Sequence, residues 1–295
     1  MSQRLLLVDG HAYAYRAFHA IRSLHAPDGT PTNAIFGFIK MLQKMLGILQ
    51  PTHRLVVWDG GLAAERLAAL PEYKAHRPPT PEALVSQLPQ LEAWLSAAGW
   101  PHLCREGTEA DDWIGTYARR ADAEGWQVII ASSDKDFLQL VNDRIGLFNP
   151  NDKSEKIWTR ADVEAKTGVP PEGIVDWLAL VGDSVDNIPG VPGVGPKTAA
   201  DLLRRFGSVD ALYTRLGEIK SDAQRAALAG AAGAVRRNQA MVRLHCDLPD
   251  GPALASFVPV EPDRPALAGM YRRWNFRSLL AEVEAAPAPA QGDLF

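Results

Sequence analysis

Residues 4–10 read RLLLVDG. Four apolar side chains in a row, Leu5 to Val8, followed at once by Asp9, are the pattern of a strand buried on both faces that ends in a carboxylate. The pattern recurs twice: Leu55 to Trp58 precede Asp59, and Val128 to Ala131 precede Asp134 and Asp136. Between these runs the apolar spacing becomes helical, through Ile35, Phe36, Ile39, Leu42, Leu46 and Leu49 in one stretch and Ala110, Trp113, Ile114, Tyr117, Ala118 and Ala121 in another. Strands alternating with helices predict βαβ units and a parallel sheet. Ligands of such sheets bind outside the carboxyl ends of the strands, where these aspartates fall.

From Thr159 the strand signals fade and helical patterns follow one another through Pro171–Val181, Lys197–Phe206, Val209–Leu216, Ala223–Leu244 and Ala266–Glu284. The expected organisation is therefore an α/β core over residues 1–158, a helical domain over 159–284, and an Ala/Pro spacer with a short terminal peptide over 285–295. With 46% hydrophobic and 22% charged residues, disorder, collagen and coiled coil are excluded for the bulk of the chain. Two cysteines, Cys104 and Cys246, cannot form a disulfide framework or a four-thiolate zinc site, and a reducing, cytoplasmic setting is expected. No apolar run approaches the roughly 18 residues of a membrane span, and Asp9 comes too early for a leader peptide.

The net charge of −4 argues weakly against a polyanionic partner, but the acids are unevenly spread. Nine of the 35 stand in tight groups; with those nine neutralised, 26 acids would face 31 bases and the remaining surface would be basic. The groups are Asp9, Asp59, the run GTEADD with Glu109, Asp111 and Asp112, the run SSDKDF with Asp134 and Asp136, and the run GDSVDN with Asp183 and Asp186. Each alone has an ordinary explanation: carboxylates in a first helical turn offset the helix dipole, an aspartate after a strand caps the next helix, and Thr108 is placed to cap the helix after GTEADD. Five loops sending carboxylates to one sheet edge go beyond this, because crowded like charges repel unless cations fill the space. Oxygen donors without His or Cys select hard ions, Mg²⁺ or Mn²⁺, and two such ions could clamp an in-line displacement at phosphorus. An EF-hand does not fit, since the twelfth position from Asp183 is Val194 and not Glu.

A second motif, IPGVPGVGPKTAADLL from Ile188, sets Gly190, Gly193 and Gly195 between two helical stretches, followed by Lys197 and Thr198. Pro196 before the lysine breaks the phosphate-loop pattern, and the dinucleotide fingerprint spacing also fails. A plain helix–helix connection remains one reading; an anion site of exposed backbone N–H groups at a helix start is the other.

The motifs DGHAYAYRAF, EYKAHRPPTP, GTEADD, SSDKD and GDSVDNIPGVPGVGPKTA, in this order, closely resemble the bacterial 5′-nuclease family, which comprises the 5′→3′ exonuclease domain of DNA polymerase I and its stand-alone flap endonuclease relatives. The match runs from about Leu5 to Leu216. The resemblance implies a PIN-like parallel-sheet core with a helical arch and a helical domain containing a helix-hairpin-helix. It implies a metal-dependent 5′→3′ exonuclease and flap endonuclease of DNA replication and repair, with two Mg²⁺ or Mn²⁺ ions on the nine carboxylates. It further implies Lys74 and Arg77 at the base of the arch steering the scissile phosphate, and DNA contacts from Gly190, Gly193, Gly195, Lys197 and Thr198; Arg16 and Arg66 also sit in family motifs, where each could contact DNA phosphate or equally pair with the acids. K⁺ is implied at the hairpin carbonyls. Expected partners are DNA with a 5′ flap or a single-strand/duplex junction and RNA primers, with no membrane, and the chain is expected to be a monomer. Gly60 and Gly61 depart from a family that often has a small residue and Lys after the aspartate, and Leu67 and Ala68 replace an acid pair. A catalytically weak branched-DNA-binding module and a PIN-type ribonuclease are the alternatives; intact acids in all five loops speak against the first, and the glycine turn with its long helical domain against the second. Finally, Gln291, Leu294 and Phe295 resemble a sliding-clamp binding peptide, held clear of the enzyme by the spacer.

Overall fold

The computed structural model describes residues 3–285. Six strands, β1 (Arg4–Asp9), β2 (His53–Trp58), β3 (His102–Cys104), β4 (Gln127–Ala131), β5 (Ile145–Phe148) and β6 (Ile157–Trp158), form one sheet in the order β3-β2-β1-β4-β5-β6. β1 runs parallel to β2 and to β4, β4 runs parallel to β5, and β6 is antiparallel to β5. The expected parallel sheet is therefore present. Leu5 to Val8 are fully buried because β1 is a central strand covered on both faces. Register aligns Leu7 with Leu55 on one side and with Ile130 on the other, so Asp9, Asp59 and the loop after Ala131 leave the sheet along the same edge. The chain crosses from β1 to β2 and later to β4 on the opposite side, which makes the end of β1 the switch point where an α/β sheet opens a crevice.

Contacts divide the chain into two units whose borders differ from the expected division at 158/159. The first comprises the chain up to Gly10, Pro51–Pro79 and Leu103–Ser256; the second comprises His11–Gln50, Thr80–His102 and the chain from Phe257 on. The expected helix over 266–284 belongs to the second unit and is two helices, Arg264–Trp274 and Arg277–Ala285. They are separated at Asn275, which ends the first in the left-handed conformation that asparagine tolerates. Trp94 donates its indole N–H to the Tyr271 hydroxyl at 2.9 Å, Trp274 donates to Gln90 at 2.8 Å, and Phe36 meets Phe276 edge to face at 5.1 Å, tying these helices to the unit's own core. In the first unit the expected helix over 223–244 is likewise two, Asp222–Gly230 and Ala232–Val242, and the latter packs on helix Ile174–Val181. Among the described residues no helix is long and apolar enough to cross a membrane. Gln291, Leu294 and Phe295 and most of the spacer lie outside the described residues.

One buried polar side chain organises the second unit. Gln87, fully buried, accepts the N–H groups of Ala34 (2.8 Å) and Ile35 (3.2 Å) with its amide oxygen, supplying the cap that Thr32 does not give to helix Asn33–Leu49. Its amide nitrogen donates to Asn33 and to the Ala83 carbonyl. Gln87→Ala strands these groups, so it is expected to lower stability by about 1–3 kcal/mol. Urea unfolding checks this, as a lower midpoint at an unchanged slope.

Candidate functional site

The loops at the sheet edge are built from short polar turns. Ser132, directly after β4, donates its hydroxyl to Asp9 Oδ2 at 2.9 Å and accepts the Asp134 N–H at 3.1 Å, while Asp134 Oδ1 accepts the Asp136 N–H at 2.9 Å. Asp59, after β2, accepts the Ala110 N–H at 2.8 Å and so caps helix Ala110–Ala123 from another loop. The N-cap position itself is Glu109; Thr108, the expected cap, instead donates to the Arg105 carbonyl and accepts from the Trp113 indole. Gly60 fits here for a steric reason: a Cβ at that position would stand 1.8 Å from the Arg105 carbonyl oxygen, and Gly60 exchanges backbone hydrogen bonds with Thr108 and Gly107. This close approach of two backbones draws Asp59 and Glu109 together.

The acids meet electrostatically. Burial pushes the Asp111 carboxyl well above the usual carboxylate range, and the charges of Asp134, Asp9 and Asp59 push it the same way. Asp136 is likewise raised well above that range by burial and by Asp134, Asp183 and Asp186. Asp134 is raised by burial and by Asp186 and Asp183, against the hydrogen bond it receives from the Asp136 N–H. Among the described residues, Asp136 Oδ1 is buried with no hydrogen-bond partner. An all-oxygen donor set whose carboxyls are pushed up by burial and by neighbouring negative charge, with one orphaned oxygen, fits a hard divalent cation.

Glu109, Asp112, Asp183 and Asp186 are turned to bases. Arg77 donates to Asp186 Oδ1 at 2.5 Å and the Lys135 ammonium stands 3.2 Å from Asp183 Oδ1. Lys74 donates to Glu109 Oε2 and lies 4.0 Å from Asp186. Arg66 donates to Glu109 Oε1 and to both oxygens of Asp112 at 2.8–2.9 Å. Burial alone would lower the pKa of Arg66 and of Lys74, but the partner carboxylates outweigh it and hold both above their ordinary values. Among the described residues no three His, Cys, Asp or Glu side chains close on one point. Arg66 and Asp112, expected as a DNA contact and a metal ligand, are committed to each other inside the protein, with Arg66 only 5% exposed.

The segment carrying Lys74 and Arg77 is fixed to the GDSVDN loop. The Lys74 N–H donates to the Asp186 carbonyl at 3.0 Å, and the Asn187 amide donates to the Glu72 carbonyl at 2.8 Å. Lys74 has φ 57°, a left-handed conformation uncommon for a residue with a side chain, maintained because both its backbone and its ammonium are held. Tyr73, which sequence reasoning passed over, donates its hydroxyl to Glu109 (3.1 Å) and lies 3.3 Å from an Asp186 oxygen; burial and those charges raise its pKa. Tyr73 and Lys135 stood inside the quoted motifs EYKAHRPPTP and SSDKD, and their position there was the available signal.

The glycine motif joins helix Ile174–Val181 to helix Pro196–Phe206 through a two-stranded turn, Gly182–Asp183 with Ile188–Pro189. Gly190 permits it, since a Cβ there would lie 2.1 Å from the Val181 carbonyl oxygen. Gly193 follows in the turn, Gly195 is the N-cap of the second helix, Lys197 is exposed and Thr198 half-buried. Asp183 stands two residues after the end of the first helix, so the turn and the acids share one segment. Arg16 lies on helix Gly10–Ala20, in the second unit.

Residues 4–168 match the model of the 5′-3′ exonuclease N-terminal resolvase-like domain, and residues 169–265 that of the 5′-3′ exonuclease C-terminal SAM fold. The chain is 36% identical over 280 residues to a 5′-3′ exonuclease of Aquifex aeolicus, covering 95% of each protein. It is 40% identical to DNA polymerase I of Rhizobium leguminosarum and 38% identical to that of Bacillus caldotenax, covering 96% and 97% of this chain but only 28% and 33% of those proteins. The chain thus spans a third or less of these two polymerases. Among solved structures it is similar to a bacteriophage T5 flap endonuclease in complex with DNA and metal ions, with TM-score 0.70 and 21% identity over 96% of this chain and 100% of that one. It is also similar to the catalytic core of Rad2 in complex with DNA substrate, with TM-score 0.62 and 16% identity over 96% and 90% of the two chains. At such identities these two likenesses concern the fold.

Because the clustered acids repel one another, Ca²⁺ is expected to raise the melting temperature of the metal-free protein. Asp136→Asn, which removes one charge from the crowd, is expected to raise the metal-free melting temperature by about 2–4 °C and to shrink the Ca²⁺ increment. Differential scanning calorimetry with and without Ca²⁺ checks both.

Proposed function

The chain belongs to the 5′-3′ exonuclease family, and on that premise we propose that it is a divalent-metal-dependent 5′-nuclease that hydrolyses phosphodiesters at 5′ ends and flaps of DNA. The observation that carries this reading is the convergence of acids from five loops on the switch point of the sheet, next to a basic pair anchored on the same carboxylates. Asp9, Asp59, Asp111, Asp134 and Asp136, with Glu109, Asp183 and Asp186, are the residues that would hold two Mg²⁺ or Mn²⁺ ions. When bound, such ions supply Lewis-acid activation of water and charge neutralisation for in-line attack at phosphorus.

The chain's own groups have separate tasks. Lys74 and Arg77 carry positive charge at the cluster, where a phosphate with extra transition-state charge is stabilised by a fixed cation. The glycine turn lets backbone approach a phosphate of the duplex, and exposed Lys197 adds a charge at the start of helix Pro196–Phe206. The turn therefore grips the duplex one short strand away from Asp183, which sets the distance between grip and cut. K⁺ on carbonyls of this turn would reinforce the grip without entering the chemistry.

The test is cleavage of a labelled 5′-flap duplex in Mg²⁺, beside single-stranded and blunt controls and an EDTA arm. Flap-selective, EDTA-sensitive cleavage is expected, and cleavage indifferent to both structure and metal would refute the reading. Lys74→Ala and Arg77→Ala are expected to cut the single-turnover rate by about 10²–10³-fold with little change in flap affinity. Lys197→Ala is expected to leave the single-turnover rate near the parent's and to reduce the slope of log affinity against log salt by about 1.

A further inference from the structure

The guanidinium of Arg66 has five N–H bonds, and each has an acceptor inside the protein. Nε donates to the Met241 carbonyl at 3.2 Å; Nη1 donates to Glu109 Oε1 and Asp112 Oδ2, both at 2.9 Å; Nη2 donates to Asp112 Oδ1 at 2.8 Å and to the Arg243 carbonyl at 3.2 Å. No donor is left for a phosphate. Asp112, 2% exposed, is equally committed, since its Oδ1 also accepts the His245 N–H at 2.9 Å.

We propose that Arg66 is a positioning residue that sets the orientation of Glu109, with Asp112 as the carboxylate that aims the guanidinium. The inference rests on the nuclease reading and revises two of its residues, taking Arg66 out of the DNA contacts and Asp112 out of the metal-ligand set. Glu109 Oε1 is held by Arg66, which leaves Oε2 on the side of Tyr73 and Lys74, the side that faces Asp186. The planar fork fixes which Glu109 oxygen is presented to the cluster; a lysine has the charge but not the fork.

The same side chain joins two parts of the first unit. Met241 to His245 form the end of helix Ala232–Val242 and the strap beyond it, and that helix packs on helix Ile174–Val181, which ends two residues before Asp183. Gln139 adds to the strap, donating to the Val242 carbonyl at 2.9 Å and accepting the Leu244 N–H at 3.1 Å. Arg66 thus ties Glu109 to the helix that packs on the segment leading into Asp183.

Arg66→Lys, Asp112→Asn and the double variant test this through two readouts: Mn²⁺ affinity of the metal-free protein by calorimetry, and flap affinity in Ca²⁺ at several salt concentrations. Each single variant is expected to weaken Mn²⁺ binding about 10-fold and the double variant to be no worse, because the pair acts as a unit. Flap affinity and its salt slope should match the parent. Reduction of the salt slope by about 1 in Arg66→Gln, which unlike Arg66→Lys removes the charge, would make Arg66 a phosphate contact and overturn the proposal. So would a loss in Asp112→Asn as large as that in Asp111→Asn, which would make Asp112 a direct ligand. If Arg66→Lys does not fold, the comparison of Asp112→Asn with Asp111→Asn decides alone. Failure of the parent to cleave flaps would count against the nuclease reading and leave the Mn²⁺ comparison intact.

Discussion

Repulsion among carboxylates crowded at one sheet edge is the constraint on which the rest of this structure depends. Three of them, Asp111, Asp134 and Asp136, are pushed up from the ordinary carboxylate value by burial and by the charges of neighbouring acids. Native structures seldom keep such an arrangement without a compensating cation, since removing the charge would relieve it. Here the parallel sheet enforces it: β1, β2 and β4 run side by side in one direction, so the residue that ends each strand arrives at the same edge.

The protein balances part of this charge with its own bases. Arg66, Lys74, Arg77 and Lys135 take Glu109, Asp112, Asp183 and Asp186. The tasks of these bases differ with burial. Arg66 is enclosed and its donors are all used, which suits a fixed strut, whereas Arg77 and Lys135 keep about two-fifths of their side chains exposed and can exchange a carboxylate for a phosphate. Lys74 lies between these extremes, enclosed but held on a left-handed residue in a turn, where its hold depends on the loop it touches.

The sheet core and the acid cluster were legible in the sequence because each rests on local pattern: a buried run such as Leu5 to Val8 and the aspartate that ends it lie within a few residues. The pairing of Arg66 with Asp112 was not, because it joins residues 46 positions apart through a strap after residue 240. Period alone also overran the helix breaks: apolar spacing continues through Asn275, and only the left-handed backbone there ends the helix. β3, β5 and β6, at three, four and two residues, are too short for alternation to register, and Gln87 caps a helix more than fifty residues away. These features are set by tertiary contact.

Anomalous scattering from crystals soaked in Mn²⁺ is the most direct measurement of the central claim. Two peaks are expected at the carboxyl edge of the sheet, among Asp9, Asp59, Glu109, Asp111, Asp134, Asp136, Asp183 and Asp186, with Asp112 still on Arg66. No peak at that edge, with Lys74 and Arg77 unmoved on Glu109 and Asp186, would contradict it.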